Sequence, residues 1–162
     1  MPKLIILRGN SGSGKTTVSR ELQKRFGRNT MLISHDMIRL QILNAKDSEA
    51  LPLITELLKY GRQHSDITVL EGILPTETYK PLFETAVKEY GAEIYAFYYD
   101  LSFEETLSRH NTKPNRADFG ETEMRRWWKE KDYIDSIPER TITENMSIAD
   151  TADMIYNCVN GL

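Results

Sequence analysis

The sequence predicts an α/β protein: a largely parallel sheet with helices on both faces. Three observations carry this. Short apolar runs alternate with helix-length amphipathic stretches, the pattern of βαβ units. The runs are continuously apolar rather than alternating, as a sheet covered on both sides requires. The first run leads directly into a glycine-rich turn that opens a helix.

In chain order, the strands are expected over residues 3–8, 31–34, 67–70, 93–99 and 140–143. The first helix should span 14–26, with Gly27 as its stop, and a short one should follow Asp36. A third, over 48–64, places Leu51, Ile54 and Leu58 on one stripe and carries Pro52 near its first turn, where proline is tolerated. Leu82, Phe83, Ala86, Val87 and Tyr90 recur at helical spacing before Gly91, a C-terminal stop. Ser102 followed by Glu105 reads as a capping box opening a helix to about His110. Residues 111–120 have no periodicity and contain Pro114 and Gly120, so a mobile loop is expected. A charged helix over 121–132 carries Trp127 and Trp128, which should act as packing anchors since adjacent helical residues point apart. The last helix, 147–160, should turn Ile148, Ala152, Ile155 and Val159 inward, with Cys158 a small core residue.

The chain has 162 residues, which suits a single domain with its own core. No internal repeat or linker is visible, so residues 1–162 are expected to form one domain. A net charge of -3 gives no global field toward nucleic acid or an anionic membrane. One cysteine forms no internal disulfide, and no zinc spacing occurs. The three histidines, His35, His64 and His110, have no metal-triad spacing, and two of them are expected at the surface. The N-terminal apolar run, 4–7, is too short for a signal core or a membrane span. A cytoplasmic protein with no membrane partner is expected.

Residues 9–16, Gly-Asn-Ser-Gly-Ser-Gly-Lys-Thr, match the P-loop pattern G-x-x-x-x-G-K-[ST] in full. Gly9, Gly12 and Gly14 let the backbone of Asn10, Ser11 and Ser13 turn its N–H groups inward. The helix N-terminus adds its positive end, making an anion nest for a triphosphate. Lys15 then reaches the β- and γ-phosphates, Thr16 ligates Mg²⁺, and Thr17 adds an α-phosphate contact. No Asn-Lys-x-Asp element for guanine recognition occurs, which counts against a GTPase, and the chain is short for a motor domain.

Three further groups favour a small kinase. Asp36 and Arg39 follow the second strand, three residues apart, at the carboxyl edge where open sheets bind ligands. Asp36 suits a general base for an acceptor hydroxyl, and Arg39 suits an anionic part of the substrate. The same spacing also suits a helix cap and a surface cation. Glu71 ends the third strand, where it would serve the metal or the acceptor. Arg109, His110, Lys113 and Arg116 flank the aperiodic stretch, and cations there would close over the transferring group. Of these, Arg109 and Arg116 are the preferred candidates.

The order GNSGSGKTT, SHDMIR, VLEGIL and DLSFEETLSRHNTKPNR resembles the small P-loop kinases of the adenylate-kinase-like superfamily. Within it the chain is similar to bacterial AAA-domain kinases and to the uridine kinase, zeta toxin, chloramphenicol phosphotransferase and polynucleotide kinase groups. The resemblance implies a three-layer αβα sandwich with a five-stranded parallel sheet of order 2-3-1-4-5. It further implies ATP as donor, Mg²⁺ as cofactor and a helical lid over about 102–132. In polynucleotide 5′-kinases an Asp-x-x-Arg supplies the base and an acceptor-phosphate contact, positions matched by Asp36 and Arg39. In nucleoside and pantothenate kinases a Glu-Gly-Ile-Leu run ends the Walker B strand, as residues 71–74 do here. Arg109 matches the lid-entry arginine that packs near adenine or the phosphates. No paired-arginine signature for a nucleoside monophosphate is present, and Glu replaces the usual Walker B Asp.

The expectation is therefore an ATP:alcohol phosphotransferase acting on a small-molecule hydroxyl: a nucleoside, a sugar or an antibiotic-like compound. Lys15, Asp36 and Arg116 would be its catalytic groups. The P-loop residues with Thr17 and Arg109 would bind the nucleotide, Asp36, Arg39 and Glu71 the acceptor, and Thr16 and Glu71 the metal. A polynucleotide 5′-hydroxyl kinase and a non-catalytic ATP-binding switch are the alternatives. The sequence names neither the acceptor nor an oligomeric state.

Overall fold

The computed structural model describes residues 1–114 and 116–162; Asn115, in the stretch expected as a loop, lies outside the described residues. Five strands form one parallel sheet: β1 (Lys3–Gly9), β2 (Thr30–Ser34), β3 (Ile67–Gly72), β4 (Ile94–Tyr99) and β5 (Glu139–Ile142). Their spatial order is β2-β3-β1-β4-β5, as the resemblance implied. Helices α1 (Lys15–Phe26), α2 (Asp47–His64), α3 (Thr76–Tyr90), α4 (Phe103–Asn111), α5 (Glu121–Trp127) and α6 (Ile148–Asn160) complete the fold, with a π-wound segment at Met37–Ile42. Among the described residues no helix is long and apolar enough to cross a membrane.

The strand pleat divides the core in two. In β1, Leu4 and Ile6 pack with Ile54 and Leu58 of α2 and Leu82 and Phe83 of α3. Ile5 and Leu7 point to the other face, against Val18 and Leu22 of α1 and Ile155 and Val159 of α6. Every second residue thus serves one helix layer, so a central strand must be apolar throughout.

One residue inside β1 breaks that apolar rule. Arg8 is fully buried, with a bidentate pair to Glu139 at 3.0 Å for both oxygens and a second pair to Asp132 at 3.0 Å. It also donates to the carbonyls of Leu74 and Asp132, and lies between the rings of Phe83 and Tyr98. Asp132 in turn accepts from the amide and hydroxyl of Thr76, capping α3, whose preceding residue is a proline with no side-chain oxygen to offer. One buried cation thereby joins β1, β5, the start of α3 and the segment leaving α5.

Two helix expectations need correction. The helix expected over 121–132 ends at Trp127, because Trp128 is extended and Lys129 is diverted to the side chain of Asn10. Trp128 packs edge-on to Phe103, while Trp127 stays partly exposed against Phe119. Ile148, expected to face inward, is exposed in the first turn of α6, directly after its cap Ser147. Ala152, Ile155 and Val159 are buried as the spacing predicts, and Cys158 packs beside them.

Candidate active site

The loop between β1 and α1 is shaped by three glycines. Gly9, Gly12 and Gly14 have φ of 150, 84 and 96°, values that favour glycine. Space matters as much as conformation at Gly12, where a Cβ would lie 2.5 Å from the Thr106 carbonyl oxygen of α4. Helix α4 therefore sits directly on the loop. Arg109 fastens it there: Nη1 donates to the Ser13 carbonyl at 2.8 Å, while Nε is held by Glu105, one turn back, at 2.8 Å.

Asn10 makes the matching contact on the other side. Its side chain gives to the Lys129 carbonyl at 2.7 Å and takes from the Lys129 amide at 2.8 Å. Its carbonyl accepts from Ser13 Oγ and from Lys15 Nζ. So the Asn10 side chain, expected at the nucleotide, braces the loop instead, leaving only its backbone for phosphate. Ser11 is half-buried, Ser13 is buried, and Thr17 is exposed on the first turn of α1.

Lys15 is buried at the base of the loop. Burial disfavours its ammonium and lowers its pKa to about 8, opposed by the charges of Glu71 and Asp36. Beside it, Thr16 Oγ1 donates to Glu71 Oε1 at 3.1 Å, and Ser34 Oγ donates to the same oxygen at 2.6 Å. Ser34 is a residue that sequence reasoning missed. Its signal was the sheet order: with β2 beside β3 in parallel register, Ser34 pairs directly with Glu71. A hydroxyl and a buried carboxylate at the mouth of a phosphate loop are hard oxygen donors of the kind that take Mg²⁺ in its remaining waters. Thr16 and Glu71 therefore fit that ion, and the glycine cradle with Lys15 fits the phosphates of ATP.

Asp36 lies across from this cradle at the start of the π-wound segment. Its carboxylate is exposed, approaches Arg39 Nη2 at 3.9 Å, and makes no hydrogen bond among the described residues. Arg39 is half-buried, and its Nε has no hydrogen-bond partner among the described residues. Behind Asp36, buried His35 is held through Nε2 by Asp47 at 2.7 Å and by the Tyr79 hydroxyl at 2.9 Å. Tyr79 spends its proton on Asp47, at 2.7 Å, so Nε2 carries the hydrogen that Asp47 accepts. These two bonds hold the Asp47 carboxyl down at about 2. Gly72 makes room for His35, whose Cβ lies 2.3 Å from where a glycine-72 Cβ would be. His35 is thus a buried strut beneath Asp36.

A second histidine is buried, so only His64 is exposed where two of the three were expected at the surface. His110 is 1% exposed and its Nε2 bonds the carbonyls of Arg116 and Phe119, pinning the turn beneath it. With the turn so wound, Arg116 points outward and its guanidinium donates to the Lys113 carbonyl of its own loop. The structure does not bring Arg116 to the phosphate loop. Lys113 turns inward instead: burial lowers its pKa, and it shares the fields of Glu71, Arg109 and Asp36. Of the two lid cations preferred from sequence, Arg109 reaches the loop and Lys113 takes the place of Arg116.

Comparison with known proteins follows the same outline. The profile of the AAA domain family matches residues 4–136. No curated protein matches the chain in sequence. Among solved structures, a gluconokinase from Sinorhizobium meliloti 1021 superposes with a TM-score of 0.67 at 15% identity, covering 99% of this chain and 93% of that one. The APS kinase of Mycobacterium tuberculosis, in complex with AMPPNP and APS, gives 0.63 at 18% identity and covers 98% of both chains. Shikimate kinase from Acinetobacter baumannii, in complex with shikimate, gives 0.62 at 20% identity, covering 99% and 94%. These likenesses establish a P-loop kinase fold.

Proposed function

The chain belongs to the AAA domain family, and from that premise we propose that it is an ATP-dependent kinase that phosphorylates a hydroxyl of a small molecule. One observation carries the reading: an exposed carboxylate with no hydrogen-bond partner among the described residues, Asp36, stands in the field of Lys15 at the open side of a phosphate cradle. The kinase relatives in fold, and the AMPPNP bound to one of them, support the donor assignment.

ATP brings the phosphoryl group, and Mg²⁺, held at Thr16 and Glu71, would screen the charge of its β- and γ-oxygens. Every other part falls to this chain. The backbone N–H groups of residues 9–16 bind the phosphates, and Lys15 offsets the negative charge that gathers on the transferring group. Asp36 takes the proton of the acceptor hydroxyl as that oxygen bonds to phosphorus. Arg109 and Lys113 cover the group from above and limit water, which would otherwise compete as acceptor. Arg39 holds Asp36 from the side.

The test is ADP release with MgATP against a panel of nucleosides, sugars, aryl alcohols and 5′-hydroxyl oligonucleotides, using wild type and Asp36→Asn. An acceptor-stimulated rate is expected, and Asp36→Asn should lower it on the order of a hundredfold while leaving ATP affinity near wild type. An equal rate in the variant would remove Asp36 from the mechanism. Tight ATP binding with no stimulated turnover would turn the reading toward an ATP-binding switch.

A further inference from the structure

The segment that carries Asp36 differs from the rest of the surface. Among the described residues, Met37, Leu40, Ile42 and Leu43 are all exposed, the one place where large apolar side chains cluster in the open. The others stand singly, and two of them, Met1 and Leu162, are chain ends. Lone exposed apolar residues need no explanation, whereas a contiguous group marks a place where something binds.

The pattern of the segment says where that group faces. In a π-wound segment side chains four and five residues apart share a side, so Leu40 lies on the stripe that carries Asp36. Ile38, off that stripe, is buried in the core at 2% exposure. The winding is wider than an α-helix, with the Leu43 amide bonded to the carbonyl of Ile38, five residues back, a distortion concentrated at functional sites. Leu40 therefore lies beside Asp36, about one turn further along the segment.

The chemistry of this wall is selective. Polyols and nucleosides are bound by several converging hydrogen-bond groups, because each hydroxyl left unpaired on binding is costly. Between Asp36 and Asp47 the neutral hydrogen-bonding side chains are Gln41 and Asn44 alone. The charge of Arg39 is shared between Asp36, 3.9 Å away, and Asp47, whose carboxyl it also helps hold down. We infer that the acceptor is an alcohol whose hydroxyl is carried on an apolar, carbon-rich framework, which lies along Leu40. The inference rests on the kinase reading above. In the reaction the acceptor O–H bond breaks and its proton passes to Asp36. The freed oxygen bonds to the γ-phosphorus, and the bond from that phosphorus to the bridging oxygen breaks as ADP leaves.

The experiment compares two sets of acceptors with MgATP: primary alcohols bearing an aryl or alkyl framework, and gluconate, ribose, nucleosides and 5′-hydroxyl oligonucleotides. Leu40→Asn is the test variant and Tyr60→Ser, which removes an exposed aromatic elsewhere, is the control. Thermal melting checks that both fold, as their exposure predicts. The expected result is a kcat/KM for the apolar alcohols at least about tenfold above the polar set. Leu40→Asn should lower it by about tenfold through KM, with kcat and the KM for ATP within about twofold, and Tyr60→Ser should change neither. Turnover of a sugar, nucleoside or oligonucleotide that Leu40→Asn leaves unaltered overturns the inference and keeps the kinase. Self-association abolished by Leu40→Asn with turnover intact also overturns it, since the patch would then join two copies. ATP binding without turnover of any acceptor sinks the kinase reading, and the inference with it.

Discussion

The two halves of the site are built on different principles. On the nucleotide side, the described contacts tie each group to another. The Asn10 side chain is spent on Lys129, Ser13 on Asn10 and Arg109, and Glu71 on Thr16 and Ser34. On the acceptor side, among the described residues, Asp36 makes no hydrogen bond, Arg39 Nε and His35 Nδ1 have no partner, and four apolar side chains stand exposed. Triphosphates are alike from one enzyme to the next, so their cradle can be rigid and made of backbone. Acceptors vary, and the wall that meets them is made of side chains on a short, widely wound turn.

The comparison can be broken most forcefully at Lys15. Lys15→Ala should cut phosphoryl transfer roughly a thousandfold, because a buried cation aimed at developing charge has no substitute among tied neighbours. Steady-state ADP release measures this, and a variant within tenfold of wild type would show the cradle to be less committed than its bonding says.

A second test separates the halves from what lies behind them. Arg8→Met should lower unfolding free energy by about 3 kcal/mol, since it strands buried Glu139 and removes the partner of Asp132. Denaturant unfolding reads the loss. Because Arg8 touches neither phosphate nor acceptor, the folded fraction should keep both KM values. A change in only one KM would mean that Arg8 belongs to that half.

The smallest effect sharpens the electrostatic side. Free Lys15, with its pKa lowered to about 8, carries its proton below that pH and loses it above. Phosphates bind the ammonium form, so above pH 8 nucleotide binding takes up a proton. MgATP affinity should be level from pH 6 to 7.5 and then weaken by at most about tenfold per pH unit. Calorimetry in buffers of different ionisation heat would detect the uptake, and a flat profile to pH 9.5 would place the Lys15 pKa higher.

The same division governs what could be read without coordinates. Strand positions and the phosphate loop were legible because they depend on local spacing and on a pattern whose physics is backbone conformation, whereas the sheet order came only with the family resemblance. Asp36, Arg39 and Glu71 were legible by position, each at the carboxyl end of a strand. Arg8 was not, since a buried arginine is set by partners over a hundred residues away, Asp132 and Glu139. Nor were the inward turn of Lys113 and the outward turn of Arg116: which cation faces the site is decided by the carbonyls that His110 bonds. The early end of α5 escaped for a similar reason, because Trp127 and Trp128 continue a helical pattern that Asn10 interrupts from across the molecule.

The stretch that covers the phosphate loop leaves and rejoins the domain at two fixed points. It departs after Leu101, buried beside the Asp100 amide that bonds Ile142, and returns at Asp132, held by Arg8, Tyr98 and Thr76. Chain inserted or deleted between those points changes the distance travelled but not the register of the sheet. Evolution can therefore rebuild the roof of this site, residue by residue, on foundations that never learn of the change.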